Sequence, residues 1–220
     1  MSENNDKLNA IREELRTCRQ CTLARGRYKV VPGEGPHKVQ VMFIGEGPGR
    51  NEDQQGKPFV GQAGMVLDEL LSAAGLKREE VFITNVVKCR PPNNRDPLPE
   101  ELSACRHWLD AQIELLNPEI IVTLGRFSMA RFIENARIGR IHGQAFEIEG
   151  RKVVTMYHPA ASLHNPALKD SMIADFSKLG SIIKKLSPTP NAVTAPVEVK
   201  SPPENKEEEE PDSPVQLTLF

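Results

Sequence analysis

No run of the 220-residue chain is apolar for long enough to span a membrane. The first residues, Met1-Ser2-Glu3-Asn4-Asn5-Asp6, lack the basic and apolar parts of a secretory signal. A cytoplasmic protein with no membrane partner is therefore expected. Cysteine is scarce, with four in the chain. In a cytoplasmic protein four cysteines read as metal ligands rather than disulfides. The chain also lacks phosphate-loop chemistry. Gly45, Gly47 and Gly49 alternate, but Arg50 follows where a dinucleotide fingerprint needs glycine. Gly56-Lys57 is followed by Pro58 where a P-loop needs Ser or Thr. Glu46, Glu52 and Asp53 on the same stretch would repel a phosphate.

Residues 39–64 organise what is present. A strong β signal at 39–44 runs into Gly45-Glu46-Gly47-Pro48-Gly49. The acids Glu52 and Asp53 follow, then a turn at Lys57-Pro58-Phe59-Val60-Gly61, and a helical pattern from about Gln62. A buried strand that opens into a glycine-rich loop is where open α/β sheets place ligands. Glycines without a cation, beside acids and a Phe, suit a flat neutral ring. Taken alone, the stretch also reads as an acidic surface loop with glycines for turn geometry.

Elsewhere strands alternate with helices. Helical spacing covers residues 6–17, the stretch from 65 to about 74, 99–116, 127–133 and 166–185. Strand patterns cover 81–87 and 120–124, and a hairpin covers 144–157 with Glu149-Gly150 at its turn. This alternation predicts a largely parallel sheet covered on both faces. Three segments are expected: a domain at 1–187, a disordered linker at 188–215 and a terminal peptide at 216–220. Seven of the 18 prolines lie in 188–214. Residues 188–220 hold seven acids against two lysines, a net −5, which leaves +3 on 1–187 out of the chain's −2. A mildly basic body is compatible with nucleic-acid binding.

Cys18 and Cys21 have Cys-x-x-Cys spacing, and Cys89 and Cys105 lie 16 apart. Two pairs can supply four thiolates, to zinc or to an iron–sulfur cluster. The long separation favours a cluster that staples the N-terminal helix to the body.

Glu46, Asn85, Gly125 and His158 all fall where strands end. In a parallel sheet they share one crevice. With Phe59 they offer an acid, an amide, an imidazole and an aromatic around one site. An amide reads a base edge and a Phe gives a stacking platform. The set points to a pocket for an extruded nucleobase. His142, before the hairpin, reads as structural.

Gly45-Glu46-Gly47-Pro48-Gly49, Glu52-Asp53, Pro58-Phe59-Val60-Gly61, Ile83-Thr84-Asn85-Val86-Val87-Lys88-Cys89-Arg90-Pro91-Pro92 and His158-Pro159-Ala160 resemble family 4 uracil-DNA glycosylases. The resemblance covers about residues 8–186. It implies a three-layer α/β/α sandwich around a short, mainly parallel sheet, and a 4Fe-4S cluster on Cys18, Cys21, Cys89 and Cys105. It also implies hydrolysis of the uracil–deoxyribose bond in DNA, with a monomer acting near the nucleoid. Phe59 would stack on uracil, Asn85 would read N3–H and O4, and His158 would donate to O2. Gly45 and Gly47 would complete the contacts to the ring. Glu46 is the first choice for the acid that orients water, with Glu52 and Asp53 as rivals. Leu163 could wedge into the gap left by the flipped base. His164 stands where the family often has Arg, which would weaken a phosphate contact. A non-enzymatic, cluster-bearing nucleic-acid-binding or redox-sensing protein of the same fold is the alternative. Residues 90–104 contain no His, which argues against a related covalent-trapping subgroup.

The last five residues, Gln216-Leu217-Thr218-Leu219-Phe220, resemble the peptide that docks on the bacterial sliding clamp. Gln216, Leu217, Leu219 and Phe220 would be its anchors, the last three filling an apolar pocket.

Overall fold

The computed structural model describes residues 3–186. The linker at 188–215 and the peptide at 216–220 lie outside the described residues. One sheet holds β1 (Val41–Gly45), β2 (Phe82–Asn85), β3 (Ile120–Leu124), β4 (Gln144–Ile148) and β5 (Arg151–Met156). Their spatial order is β2-β1-β3-β5-β4. β1 pairs in parallel with β2 and β3, and β3 with β5, while β4 lies antiparallel on β5. Four parallel strands therefore end along one edge.

The two-residue period of a strand sorts the core onto two faces. Val41, Phe43, Ile120, Val122, Leu124 and Val154 point to one face, with Leu67, Leu70 and Leu71 of α3 (Gln62–Ala73) and Phe176 and Leu179 of α8 (Lys169–Leu186). Met42, Ile44, Ile121 and Val153 point to the other. There they meet Leu8 of α1 (Glu3–Thr17) and Leu109 and Ile113 of α4 (Pro99–Leu116). The expected three-layer α/β/α sandwich is thus present. α4 starts where sequence rules place it. Pro99 takes the first turn, and Glu101 accepts the Leu98 N–H at 2.9 Å.

Several boundaries differ from the sequence reading. β2 ends at Asn85, although Val86 and Val87 extend the β-branched run. Their N–H groups donate to Gly45 O (3.0 Å) and Glu46 O (3.1 Å), so the chain follows the glycine loop off the sheet. Residues 50–55, read as loop, form α2 (Arg50–Gln55), which Gly56 ends at φ +77°. α2 is too short and polar to show a periodic apolar face. The helix read at 127–133 is the shorter α5 (Arg126–Ala130). Two further short helices are α6 (Ile138–Ile141) and α7 (Ala161–His164), and a 3-10 turn at Pro166–Leu168 precedes α8. Among the described residues no helix is long and apolar enough to cross a membrane.

Phe43 of β1 and Phe176 of α8 stack with centroids 6.1 Å apart and planes at 11°, both almost fully buried. Phe176→Ala should cost about 3–5 kcal/mol, read as a lower midpoint in chemical denaturation. An unchanged midpoint would contradict this account of the core.

Candidate active site

Gly45 and Asn85 sit opposite each other at the ends of β1 and β2. The ends of β3 and β5 meet where the Gly125 N–H donates to Met156 O (2.8 Å). A cavity of about 630 Å³ opens beyond this edge, and Glu46, Phe59, Asn85, His158, Leu163 and His164 are among its lining residues.

Asn85 is 1% exposed, and its Oδ1 has no hydrogen-bond partner among the described residues. An added Cβ on Gly45 would lie 2.4 Å from that oxygen and 2.6 Å from the Phe59 ring. Gly45 therefore contributes by its missing side chain. Phe59 has φ +50°, a left-handed conformation that is strained for a residue with a Cβ. Two features hold it there. Glu52 Oε1 accepts from the N–H groups of Val60 (2.9 Å) and Gly61 (2.8 Å). Gly64 lets the Phe59 carbonyl approach to where any Cβ would be 2.0 Å away.

The His158 ring lies 5.6 Å from Phe59, tilted by 30°. Burial pushes its pKa down to about 4, with Glu52 pulling weakly the other way. The Ala160 N–H donates to Nδ1 at 3.1 Å. A neutral ring that accepts at Nδ1 carries its proton on Nε2. Glu46 is perturbed in the other direction. Burial, helped by Asp96 and opposed by Arg126, raises its pKa to about 7. Arg126 and Asp96 are themselves ion-paired.

The structure separates the three acids. Glu46 and Glu52 line the cavity, but Glu52 is committed to the Phe59 turn. Asp53 is a correction: it is buried away from the cavity, and its Oδ1 accepts the Tyr28 N–H at 3.0 Å. Gly125 is a second correction. It does not line the cavity but backs His158, whose Cβ would lie 3.0 Å from an added Cβ. Gly47 lines the cavity, whereas Gly45 is not among its lining residues. His142 has a structural partner, Asp175, at 2.6 Å.

Sequence reasoning missed the wall supplied by Pro91, Asn94 and Arg95 and the rim at Arg50 and Asn51. Arg95 is fixed by two 2.8 Å bonds to Glu101. It also missed Lys88, which is fully buried. The Lys88 ammonium donates to Thr84 Oγ1 (2.6 Å), Asn85 O (2.8 Å) and Gln112 Oε1 (2.7 Å). Burial lowers its pKa to about 8, with Cys105 opposing. A lysine inside the apolar run Val86-Val87-Lys88-Cys89 was the available signal, since buried lysines need partners.

The four cysteines gather in one side-chain cluster with Leu15, Leu23, Val30, Val87 and Trp108. Burial raises the Cys105 pKa to about 11 and also raises that of Cys89. Two observations bear on what the set could hold. Donors already face the sulfurs: Arg27 reaches Cys89 Sγ (3.0 Å) and the Lys88 N–H reaches Cys105 Sγ (3.3 Å). The buried Trp108 Nε1 has no partner among the described residues. An iron–sulfur group with acceptor sulfurs fits both.

Fold and site together define an α/β protein with a cavity lined by acids, an amide, an imidazole and an aromatic ring at the C-terminal ends of its parallel strands. Comparison with known proteins narrows that class. The uracil DNA glycosylase superfamily profile matches residues 32–178. The chain is 46% identical to the type-4 uracil-DNA glycosylase of Archaeoglobus fulgidus, over 84% of this chain and 97% of the relative. Identity to that of Thermotoga maritima is 43%, over 84% and 99%. A type-5 uracil-DNA glycosylase of Thermus thermophilus is 32% identical, over 58% of this chain and 68% of its own. The chain belongs to the uracil-DNA glycosylase superfamily, and within it to the type-4 family.

The His158 ring should stay neutral at physiological pH. Its folded pKa lies below the unfolded value, so His158 should cost stability as pH falls from about 6.5 towards 4. NMR titration of the ring nitrogens should show an Nε2–H tautomer and no protonation above about pH 5. A midpoint near the ordinary histidine value would contradict the burial argument.

Proposed function

We propose that the protein is a uracil-DNA glycosylase that acts as a monomer on DNA at the nucleoid. The observation that carries the reading is the unpartnered Asn85 Oδ1, buried beside Phe59. Uracil supplies what that oxygen lacks, a donor at N3–H, and its O4 accepts from the Asn85 amide nitrogen. Cytosine reverses both polarities and would leave the buried amide unpaired, so it is rejected. Phe59 provides the face on which the ring stacks. Extrusion costs a few kcal/mol, least for a mismatched or single-stranded base. Leu163, 45% exposed at the cavity mouth, is suited to fill the gap left in the stack. His164 beside it takes the place where the family often has Arg.

Breaking the C1′–N1 bond leaves its electron pair on uracil and positive charge on the sugar. The neutral His158 Nε2–H donates to O2 as charge develops there, a contribution of about 3–4 kcal/mol for such a donor. The Glu46 carboxylate faces the sugar, stabilises its cation and accepts a proton from the attacking water. The products are an abasic site and a uracil anion, which takes up a proton from solvent while Glu46 releases the one it accepted. A 4Fe-4S cluster on Cys18, Cys21, Cys89 and Cys105 would cross-link α1, the loop after β2 and α4, fixing the wall that carries Asn85. Arg27 and the Lys88 N–H would then serve as hydrogen-bond donors to its thiolates.

We further propose that 188–215 is a tether and that Gln216, Leu217, Leu219 and Phe220 dock on the replication sliding clamp. The apolar end of an acidic, proline-rich segment supports this. Deleting 216–220 should abolish clamp binding and leave excision unchanged; unchanged binding would refute the docking.

Pure, cluster-loaded protein should convert a uracil-containing oligonucleotide to an alkali-labile abasic product and spare cytosine. Tight DNA binding without product would overturn the reading in favour of a non-enzymatic iron–sulfur protein. Because the working form of Glu46 is the anion, kcat/KM should rise with pH through about 7. Glu46→Gln should remove that limb and lower the plateau.

A further inference from the structure

The base-reading amide hangs from an unusual piece of backbone. β2 is the edge strand of the sheet. On its outer side Ile83 exchanges both backbone bonds with Glu34, at 2.9 and 2.8 Å. Asn85, two residues on, faces the same outer side, since backbone groups alternate along a strand. Among the described residues no strand continues there to pair with it. Its carbonyl is taken instead by the Lys88 ammonium at 2.8 Å. The other two protons of that ammonium reach Thr84 Oγ1 and Gln112 Oε1. Gln112 in turn donates to Pro32 O, so Lys88 ties the end of β2 to α4 and to the segment before β1.

The arrangement is costly for a merely structural post. No carboxylate pairs with the Lys88 ammonium among the described residues, and its acceptors are all neutral oxygens. Burying a charge in this way is disfavoured unless every proton is bonded, as here. A methionine or leucine would fill the same space without that burden. What an aliphatic chain could not do is hold the Asn85 carbonyl, and with it the direction of the Asn85 side chain.

We propose that Lys88 is a positioning residue for base recognition. Its ammonium caps the outward carbonyl of Asn85 and fixes the backbone from which the base-reading amide projects into the cavity. The proposal rests on the reading of Asn85 given above. Lys88 touches neither base nor sugar; it acts through Asn85.

A double-mutant cycle on the cluster-loaded protein tests this, with kcat/KM for a uracil oligonucleotide as the readout. Lys88→Met should lower kcat/KM by about tenfold or more in the native background, and by less than about twofold in Asn85→Ala. A general structural role would instead lower both backgrounds by the same factor, and that additive result overturns the proposal. Should Lys88→Met fail to fold or retain iron, Thr84→Val replaces it in the same cycle. That variant keeps the shape of the side chain, removes one acceptor of the ammonium and lies away from the cysteines. It should show a smaller loss that likewise vanishes in Asn85→Ala; an equal loss in both backgrounds overturns the proposal. Asn85→Ala alone reports on the underlying reading. Native activity in that single variant sinks the base-edge reading and the role of Lys88 with it.

Discussion

One buried acceptor without a donor sets the terms for the whole site. Asn85 Oδ1 has no partner among the described residues, and a buried acceptor left without a donor costs about 1–3 kcal/mol. The fold sustains that cost by holding the amide on all sides. Gly45 leaves room for both the oxygen and the edge of the Phe59 ring, and the strand beneath is anchored by its neighbour β1 and by Lys88. A ligand that brings an N–H to this point recovers the deficit, and one that brings a second acceptor deepens it. In the proposed reading, selectivity between bases that differ little in shape follows from polarity.

Two of the pocket's titratable groups, Glu46 and His158, are pushed away from their ordinary values mainly by one cause. Desolvation disfavours whichever form is charged. It lowers His158, which is thereby kept as a neutral donor, and raises Glu46, whose anion then forms only near neutrality. The reaction needs this division of labour. A neutral donor can follow charge as it develops on the base, whereas a resident imidazolium would sit in the pocket as an unpaired buried cation. In the proposed reaction a carboxylate on the sugar side would meet the opposite charge. Environments that act oppositely on an acid and an imidazole are what the proposed pair of roles calls for.

Much of this could be read from the sequence because it depends on local periodicity. The continuous β-branched run at 120–123, the apolar face at Leu67, Leu70 and Leu71, and the hairpin turn at Glu149-Gly150 each fix an element without tertiary information. The convergence of Glu46, Asn85 and His158 followed from parallel topology alone, since like-directed strands end together. What stayed hidden depends on side-chain direction. Glu52 and Asp53 are neighbours in sequence, yet the short helix α2 turns one to the Phe59 loop and the other to the Tyr28 N–H. No spacing rule distinguishes them. Arg95 and Lys88 were missed for the same reason. Their partners Glu101 and Gln112 lie 6 and 24 residues away and carry no periodic signature.

The most direct measurement of the central claim is a crystal structure of the protein soaked with free uracil. The account predicts the ring lying against Phe59, N3 within hydrogen-bond distance of Asn85 Oδ1, and O2 within reach of His158 Nε2. Uracil bound with N3 turned away from Asn85, or no uracil in the cavity at saturating concentration, would contradict it.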